Sequence, residues 1–363
     1  MISLSLHEFH AGRRSTFADV NGMEVVDHYG DPGAEHHAVR NTAGLFDLSF
    51  RGRLCLTGAD RQKFLNGQVT NNVAALKAGE GCYAALITAK GKMQSDLNIF
   101  LLENEILLDF EPGLAVTVAQ RLEKYIIADD VQVIDVAPHY GLLSVQGPQA
   151  ASVIERLQPG VPLPQKPMSV TSLKDATLGE IYFINQPRTG SAGFDVFVPL
   201  AALAAVADKL LAAVKEAGGT AAGWRALEMA RIEAGIPRFG ADMDENNLPP
   251  EAGIDTRAIS YSKGCYIGQE IIARIRTYGQ VAKALRGLQL ADDLAVLPSK
   301  GDKLYLGDKE IGFITSALAS PALKKNIALG YVRREGNKIG SELKLKMGET
   351  ESPTRVVALP FEI

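Results

Sequence analysis

Between residues 51 and 110 apolar and polar positions alternate in short runs, the period of half-buried strands. Residues 51–56 read as extended, and 60–66 as a short helix closed by Gly67. Residues 83–88 and 93–102 read as a hairpin through the four-residue loop Ala89-Lys90-Gly91-Lys92. Asn104 turns the chain into a third strand, 106–110. Helical spacing then takes over. A helix over 114–127 follows Glu111-Pro112-Gly113, and another opens at Gly147-Pro148 with proline at its first position. Residues 200–217 carry Leu203, Val206, Leu210 and Val214 on one face, and a further helix spans about 222–234. A second hairpin, 180–185 with 194–198, lies between these helices. From Leu285 the rhythm changes to short strands parted by turns such as Gly307-Asp308, which predicts a small barrel from near Lys283. No internal repeat of 20 to 50 residues interrupts this sequence of elements.

Composition narrows the possibilities. The 363 residues carry 38 Lys+Arg against 42 Asp+Glu, are 46% apolar and are 22% charged. That balance excludes long disordered tracts, and a dedicated nucleic-acid binder would show a basic excess. The length suggests two or three packed units. No run approaches the roughly 18 apolar residues of a membrane span, and the first twenty residues lack a signal-peptide core. Cys55, Cys82 and Cys265 are too few and too scattered for a disulfide framework or a four-cysteine zinc site. The expectation is a cytoplasmic protein without a metal site.

Three motifs fail on inspection. Gly79-Glu80-Gly81-Cys82-Tyr83-Ala84 has dinucleotide spacing, but a strand rather than a helix follows it. Asp242-Met243-Asp244-Glu245-Asn246 opens like a calcium loop, yet Asn247 and Gly253 occupy its glycine and glutamate positions. His36-His37 lacks a third ligand at helical spacing and reads as a solvated helix face.

Four positions remain. Asp96 sits mid-strand, where period 2 places Gln94, Asp96 and Asn98 on one face: either the solvated side of a hairpin or a cavity wall. Asp195 repeats the situation in the second hairpin. Arg231 falls on the apolar stripe of its helix, where it snorkels or meets an anion. In Lys263-Gly264-Cys265-Tyr266-Ile267-Gly268-Gln269-Glu270 a thiol stands between glycines, beside a lysine and ahead of a helix. That setting favours a reactive thiolate over an inert cysteine.

Together these segments resemble the folate-binding family of the glycine-cleavage T-protein (aminomethyltransferase), and most of all its YgfZ branch, linked to iron–sulfur protein maturation. Glu35-His36-His37-Ala38-Val39-Arg40 with Ala43-Gly44-Leu45-Phe46-Asp47-Leu48-Ser49 is similar to the family's opening motif. Arg188-Thr189-Gly190 with Gly193-Phe194-Asp195 is similar to its second hairpin, and Ile327-Ala328-Leu329-Gly330-Tyr331-Val332 to its barrel signature. The resemblance implies an α+β fold of three subdomains in a cloverleaf ring around tetrahydrofolate, residues 1–283 forming the folate-binding region and 284–363 the barrel. It implies that Asp96 is the acidic residue beside the folate, that Asp195 holds the pterin ring, that Tyr83 and Phe100 are aromatic walls, and that Arg225 and Arg231 face the folate.

The chain departs from the T-protein pattern in several places. It has Gly91-Lys92-Met93-Gln94-Ser95-Asp96-Leu97 for Gly-Gly-Val-Ile-Asp-Asp-Leu, Asp195 for Glu, Ser49-Phe50 for Ser-His, and only Ser191-Ala192 where T-proteins carry Tyr-Thr-Gly-Glu-Asp. The Lys263–Glu270 stretch matches the YgfZ hallmark. The expectation is therefore a monomeric tetrahydrofolate-binding protein acting in iron–sulfur assembly or repair, with client or assembly proteins as partners, Cys265 as active thiol and Lys263 beside it. The rival reading is an aminomethyltransferase in which Asp96 stabilises developing positive charge. A third is a folate-binding module without chemistry.

Overall fold

Alternating positions become strands of a two-stranded, a five-stranded and a six-stranded sheet and of a closed barrel. The computed structural model describes residues 1–157, 160–279 and 281–361. Glu362 and Ile363, the end of the expected barrel region, lie outside the described residues. Contacts divide the chain into a first unit, residues 1–86 and 95–230, and a second, residues 87–94 and 231–363.

In chain order the elements begin with α1 (His7–Ala11), β1 (Thr16–Val20), β2 (Met23–His28), α2 (Pro32–Asn41), β3 (Gly44–Asp47), β4 (Gly52–Thr57) and α3 (Arg61–Gln68). They continue with β5 (Glu80–Ile87), β6 (Met93–Leu101), β7 (Ile106–Phe110), α4 (Ala115–Glu123), β8 (Gln132–Asp135), β9 (Tyr140–Gln146) and α5 (Ala150–Glu155). Next come β10 (Val170–Asp175), β11 (Gly179–Asn185), β12 (Gly193–Pro199), α6 (Leu200–Glu216), β13 (Thr220–Ala221) and α7 (Trp224–Glu233). The rest are α8 (Asp255–Ala258), α9 (Gln269–Tyr278), β14 (Lys283–Leu290), β15 (Lys303–Leu306), β16 (Lys309–Ser320), β17 (Lys325–Arg333), β18 (Glu342–Met347) and β19 (Thr350–Val357).

The first unit holds a five-stranded sheet, β5-β6-β7-β4-β8, and a six-stranded sheet, β10-β11-β12-β9-β3-β13. Period 2 sorts their side chains. On β6, Leu97, Ile99 and Leu101 join one core with Phe64 and Leu65 of α3 and Val118 and Leu122 of α4. On β12, Phe194, Val196 and Val198 join another with α5 and α6. The opposite faces supply a third core, in which Phe100, Leu107 and Cys55 of one sheet meet Leu142, Ile184 and Phe197 of the other. Asp96, Asn98, Asp109 and Asp195 share those inner faces by the same periodicity. The apolar layer thus gives way to polar residues two positions along each strand.

In the second unit the order β14-β17-β16-β15-β18-β19 closes into a six-stranded barrel filled by Leu288, Ile314, Val332, Leu345 and Val356. The contacts do not part at residue 283. Residues ahead of it pack on the barrel: Ile232 joins the cluster of Leu285, Leu329 and Tyr331, Leu285 N donates to Glu251 O (2.8 Å), and Glu233 accepts from the Ser320 hydroxyl.

Local differences from the sequence reading have local causes. Gly67 lies inside α3, and the helix expected at Gly147-Pro148 starts at Ala150. The Gly79-Glu80-Gly81 run leads into β5. A Cβ on Gly81 would stand 2.5 Å from Ile99 O and 2.7 Å from Met168 O, so close backbone approach explains that glycine. On α2, His36 is buried while His37 is exposed, which corrects the reading of a fully solvated pair. Asp242 is taken up by Arg231, Thr315 and Ser316. Among the described residues no three His, Cys, Asp or Glu side chains are placed to hold a metal ion, and no helix is long and apolar enough to cross a membrane.

Candidate functional site

The inner face of β6 carries the most informative carboxylate. Tyr83 of β5 donates its hydroxyl to Asp96 Oδ2 at 2.8 Å. Asp96 Oδ1 is sealed from solvent and has no hydrogen-bond partner within the protein. Such an atom is costly unless a ligand or water donates to it. Burial, and then the nearby Glu111 charge, push the Asp96 carboxyl up to about 6, against the pull of the Tyr83 hydrogen bond and of Arg51.

Next to it runs a chain of buried ion pairs. Arg51 donates from Nε to Asp109 Oδ1 (2.7 Å) and from Nη1 to Glu111 Oε1 (2.5 Å). Arg188 donates from Nη2 to Asp109 Oδ2 (2.9 Å) and to Asp195 Oδ2 (2.5 Å), and from Nε to both Asp195 oxygens. Ser144 closes the chain by donating to Asp195 Oδ1 at 2.7 Å. Asn98 donates to Asp109 Oδ2 (2.8 Å) and accepts from Gln186 Nε2 (3.2 Å). Gln146 braces the hairpin, donating to Ser144 Oγ and to Gln186 O and accepting from Arg188 N. Flanked by two arginines, Asp109 is held far below the usual carboxylate range.

The candidate residues therefore separate. Tyr83 and Asp96 touch. Asp195 is fully buried, neither solvated nor open to a ligand, because Arg188 and Ser144 occupy both its oxygens. Phe100 has no exposed surface: it packs between the two sheets, which corrects its reading as a cavity wall. Arg231 neither snorkels nor waits for a bound anion. It is buried in the second unit, paired with Asp242 and donating to Ser316 Oγ at 3.0 Å. Arg225 is exposed, its side chain 59% accessible, with Nε 2.8 Å from Asp27 Oδ2. Cys265 is free and exposed, whereas Lys263 is buried with its ammonium 5.0 Å from the centre of the Tyr266 ring. Arg51, Asp109 and Gln146 had not been singled out. Asp109 did carry a signal, an acid inside the apolar run of β7.

The loop holding Cys265 ends at Gly268, whose φ is +81° and whose added Cβ would stand 2.4 Å from Thr88 O. Gly264 has open space around it. Gly268→Ala should therefore lower stability by about 1–2 kcal/mol from the left-handed backbone alone, with the clash adding to it. Gly264→Ala should stay within about 0.5 kcal/mol. Urea midpoints of the two variants check this, and equal midpoints would refute it.

Comparison with known proteins adds the family. Residues 6–263 match the family described as GCVT N-terminal domain, and residues 283–361 the glycine cleavage T-protein C-terminal barrel domain. The chain is 30% identical to the aminomethyltransferase of Halalkalibacterium halodurans over 98% of its own length and 96% of the relative's. The aminomethyltransferase of Symbiobacterium thermophilum gives the same identity and coverage. The crystal structure of glycine cleavage system aminomethyltransferase T from Bartonella henselae superimposes with a TM-score of 0.90 at 25% identity, covering 99% of this chain and 98% of that one. These relatives overturn the expectation of an iron–sulfur assembly protein of the YgfZ type: aminomethyltransferases match over 98–99% of the chain.

Proposed function

Because the chain belongs to the glycine-cleavage T-protein family, we propose that it is an aminomethyltransferase that passes an aminomethyl group to a nitrogen of tetrahydrofolate. The observation that carries the reading is Asp96 Oδ1, a sealed acceptor without a donor, next to the Tyr83 hydroxyl. An N–H-rich pterin edge is the kind of ligand that satisfies such an atom. Tetrahydrofolate, when bound, supplies the accepting nitrogen. Tyr83 fixes the Asp96 carboxylate through Oδ2 and leaves Oδ1 for the ligand. Ionised Asp96, set in a site that excludes water, stabilises the positive charge that develops at the transferred carbon and nitrogen. Arg225, exposed and held by Asp27, is a cation for the folate's glutamate tail. With Arg188 across Asp195, ligand recognition in the first unit falls to one carboxylate, Asp96, rather than two.

The test uses purified protein, tetrahydrofolate and an aminomethyl-loaded carrier. Since the ionised form of Asp96 acts, the rate should rise with pH through a midpoint at about 6. Asp96→Asn should lower kcat by about 10²–10³-fold. The same variant should be more stable above that midpoint. A carboxyl raised in the folded state favours folding when protonated, and that contribution is lost as pH climbs from about 4 through about 6. Asparagine removes this loss. An unchanged rate in Asp96→Asn, or a wild-type rate independent of pH through that range, would discard the assignment.

A further inference from the structure

Asp96 lies near charges at the ends of other strands of the five-stranded sheet. Strand β6 pairs with β7 so that Asn98 faces Asp109, and β7 pairs with β4 so that Asp109 faces Arg53. The β6–β7 ladder ends at the Asn98–Asp109 pair and the β7–β4 ladder one pair further on, at Phe110 and Gly52; just past them Glu111 follows β7 and Arg51 precedes β4, and Asp96 lies two residues from Asn98 on the same face of β6. The Glu111 charge repels that of Asp96, and burial leaves little water to weaken the repulsion. Glu111 is buried, and Arg51 reaches it at 2.5 Å while its Nε is held by Asp109. Among the described residues, the charged or titratable groups that act on Asp96 include Tyr83 of β5, Glu111 just after β7, and Arg51 just before β4.

We propose that Arg51 is a positioning residue that keeps Asp96 ionised at neutral pH by holding Glu111 in a buried ion pair. The proposal rests on the reading of Asp96 as the group that meets the substrate. At Asp96 the guanidinium offsets part of the Glu111 charge. Without the guanidinium, more of the Glu111 charge is felt at Asp96 in a medium of low polarisability, and the neutral form of Asp96 is favoured to higher pH. Arg51 touches no reacting atom in this account. It acts on Asp96 through Glu111 and by its own charge, and Asp109, shared with Arg188, holds its Nε.

The measurement is a carboxyl ¹³C NMR titration of the free protein, with the Asp96 resonance assigned by its loss in Asp96→Asn. Arg51→Met should move the Asp96 midpoint up by about one pH unit or more, and Glu111→Gln should move it down. In the Glu111→Gln background the effect of Arg51→Met should shrink, because the group it acts through is gone. Arg51→Lys, which keeps the charge but not the fork that holds Asp109 and Glu111 together, should fall between wild type and Arg51→Met. Should Arg51→Met fail to fold, Glu111→Gln and Arg51→Lys still decide the matter. An Asp96 midpoint that is indifferent to Glu111→Gln overturns the proposal. The pH–rate profile of aminomethyl transfer, measured in parallel, should shift with the NMR midpoint. An NMR shift without a matching rate shift supports the link between Arg51 and Asp96 and overturns the functional reading of Asp96 instead.

Discussion

Arg188→Ala should lower the unfolding free energy by about 3–5 kcal/mol, read from urea or thermal unfolding of the whole protein. The cost arises from what is left behind. Arg188 is the cation that reaches Asp195, and it shares Asp109 with Arg51. Both carboxylates are fully buried, so truncation leaves one without its ion-pair partner and strips the other of half its compensation. A paired change tests the cause. Asp195→Asn in the Arg188→Ala background removes the stranded charge and should recover part of the loss, whereas simple loss of packing would not be recovered. A fall smaller than about 1 kcal/mol would mean that the network is not a structural clamp.

Arg231→Ala should be similarly severe in the second unit, about 3–5 kcal/mol, and should leave the tetrahydrofolate affinity of the folded fraction unchanged. Asp242 is the hub there. It accepts from Arg231, from the Thr315 hydroxyl (2.6 Å), from the Ser316 hydroxyl (2.7 Å) and from Arg238 N (3.1 Å). Arg231 thereby fastens the end of α7 to β16 of the barrel. Arg225→Ala makes the contrast. This exposed arginine pairs with Asp27 at the surface, so its loss should change stability by about 0–1 kcal/mol while weakening binding of a polyanionic folate tail. Titration calorimetry and unfolding of both variants separate the two roles. A binding defect in Arg231→Ala with stability intact would restore that residue to the ligand.

The two arginines show where sequence reading succeeds and where it stops. Both were visible on a helix, but an apolar stripe does not say whether its cation finds a carboxylate from another element, and Asp242 of Arg231's own motif-bearing loop is that partner. Asp96 and Asp195 looked alike as acids in mid-strand. What separates them is Arg188, seven residues from Asp195 but tied also to Asp109 on another sheet, a contact no local pattern encodes. Phe100 shares a face with Asp96, and its burial follows only once a second sheet is known to cover that face. The strands and turns of the barrel and the two hairpins were legible because their signals are local. One local signal was overlooked. Asn21-Gly22, both at positive φ, joins β1 to β2, and that dipeptide is a strong hairpin mark. The parallel pairing of β13 with β3 joins residues far apart in sequence and left no trace there.

The assignment of residues 87–94 to the second unit has a consequence for how the chain is made. Lys92 Nζ donates to Asn246 O at 2.7 Å, a partner 154 residues later in the chain, and Met93 N donates to Asn247 O. At about 5–20 residues per second, a ribosome delivers that partner roughly 8–30 seconds after the hairpin tip emerges. During that interval β5 and β6 can pair, yet the tip must wait with its donors in water. The second unit therefore cannot be completed from the C-terminal stretch alone. A fragment beginning at residue 231 would expose the carbonyls that the tip covers, and the two stretches of this unit finish folding only together.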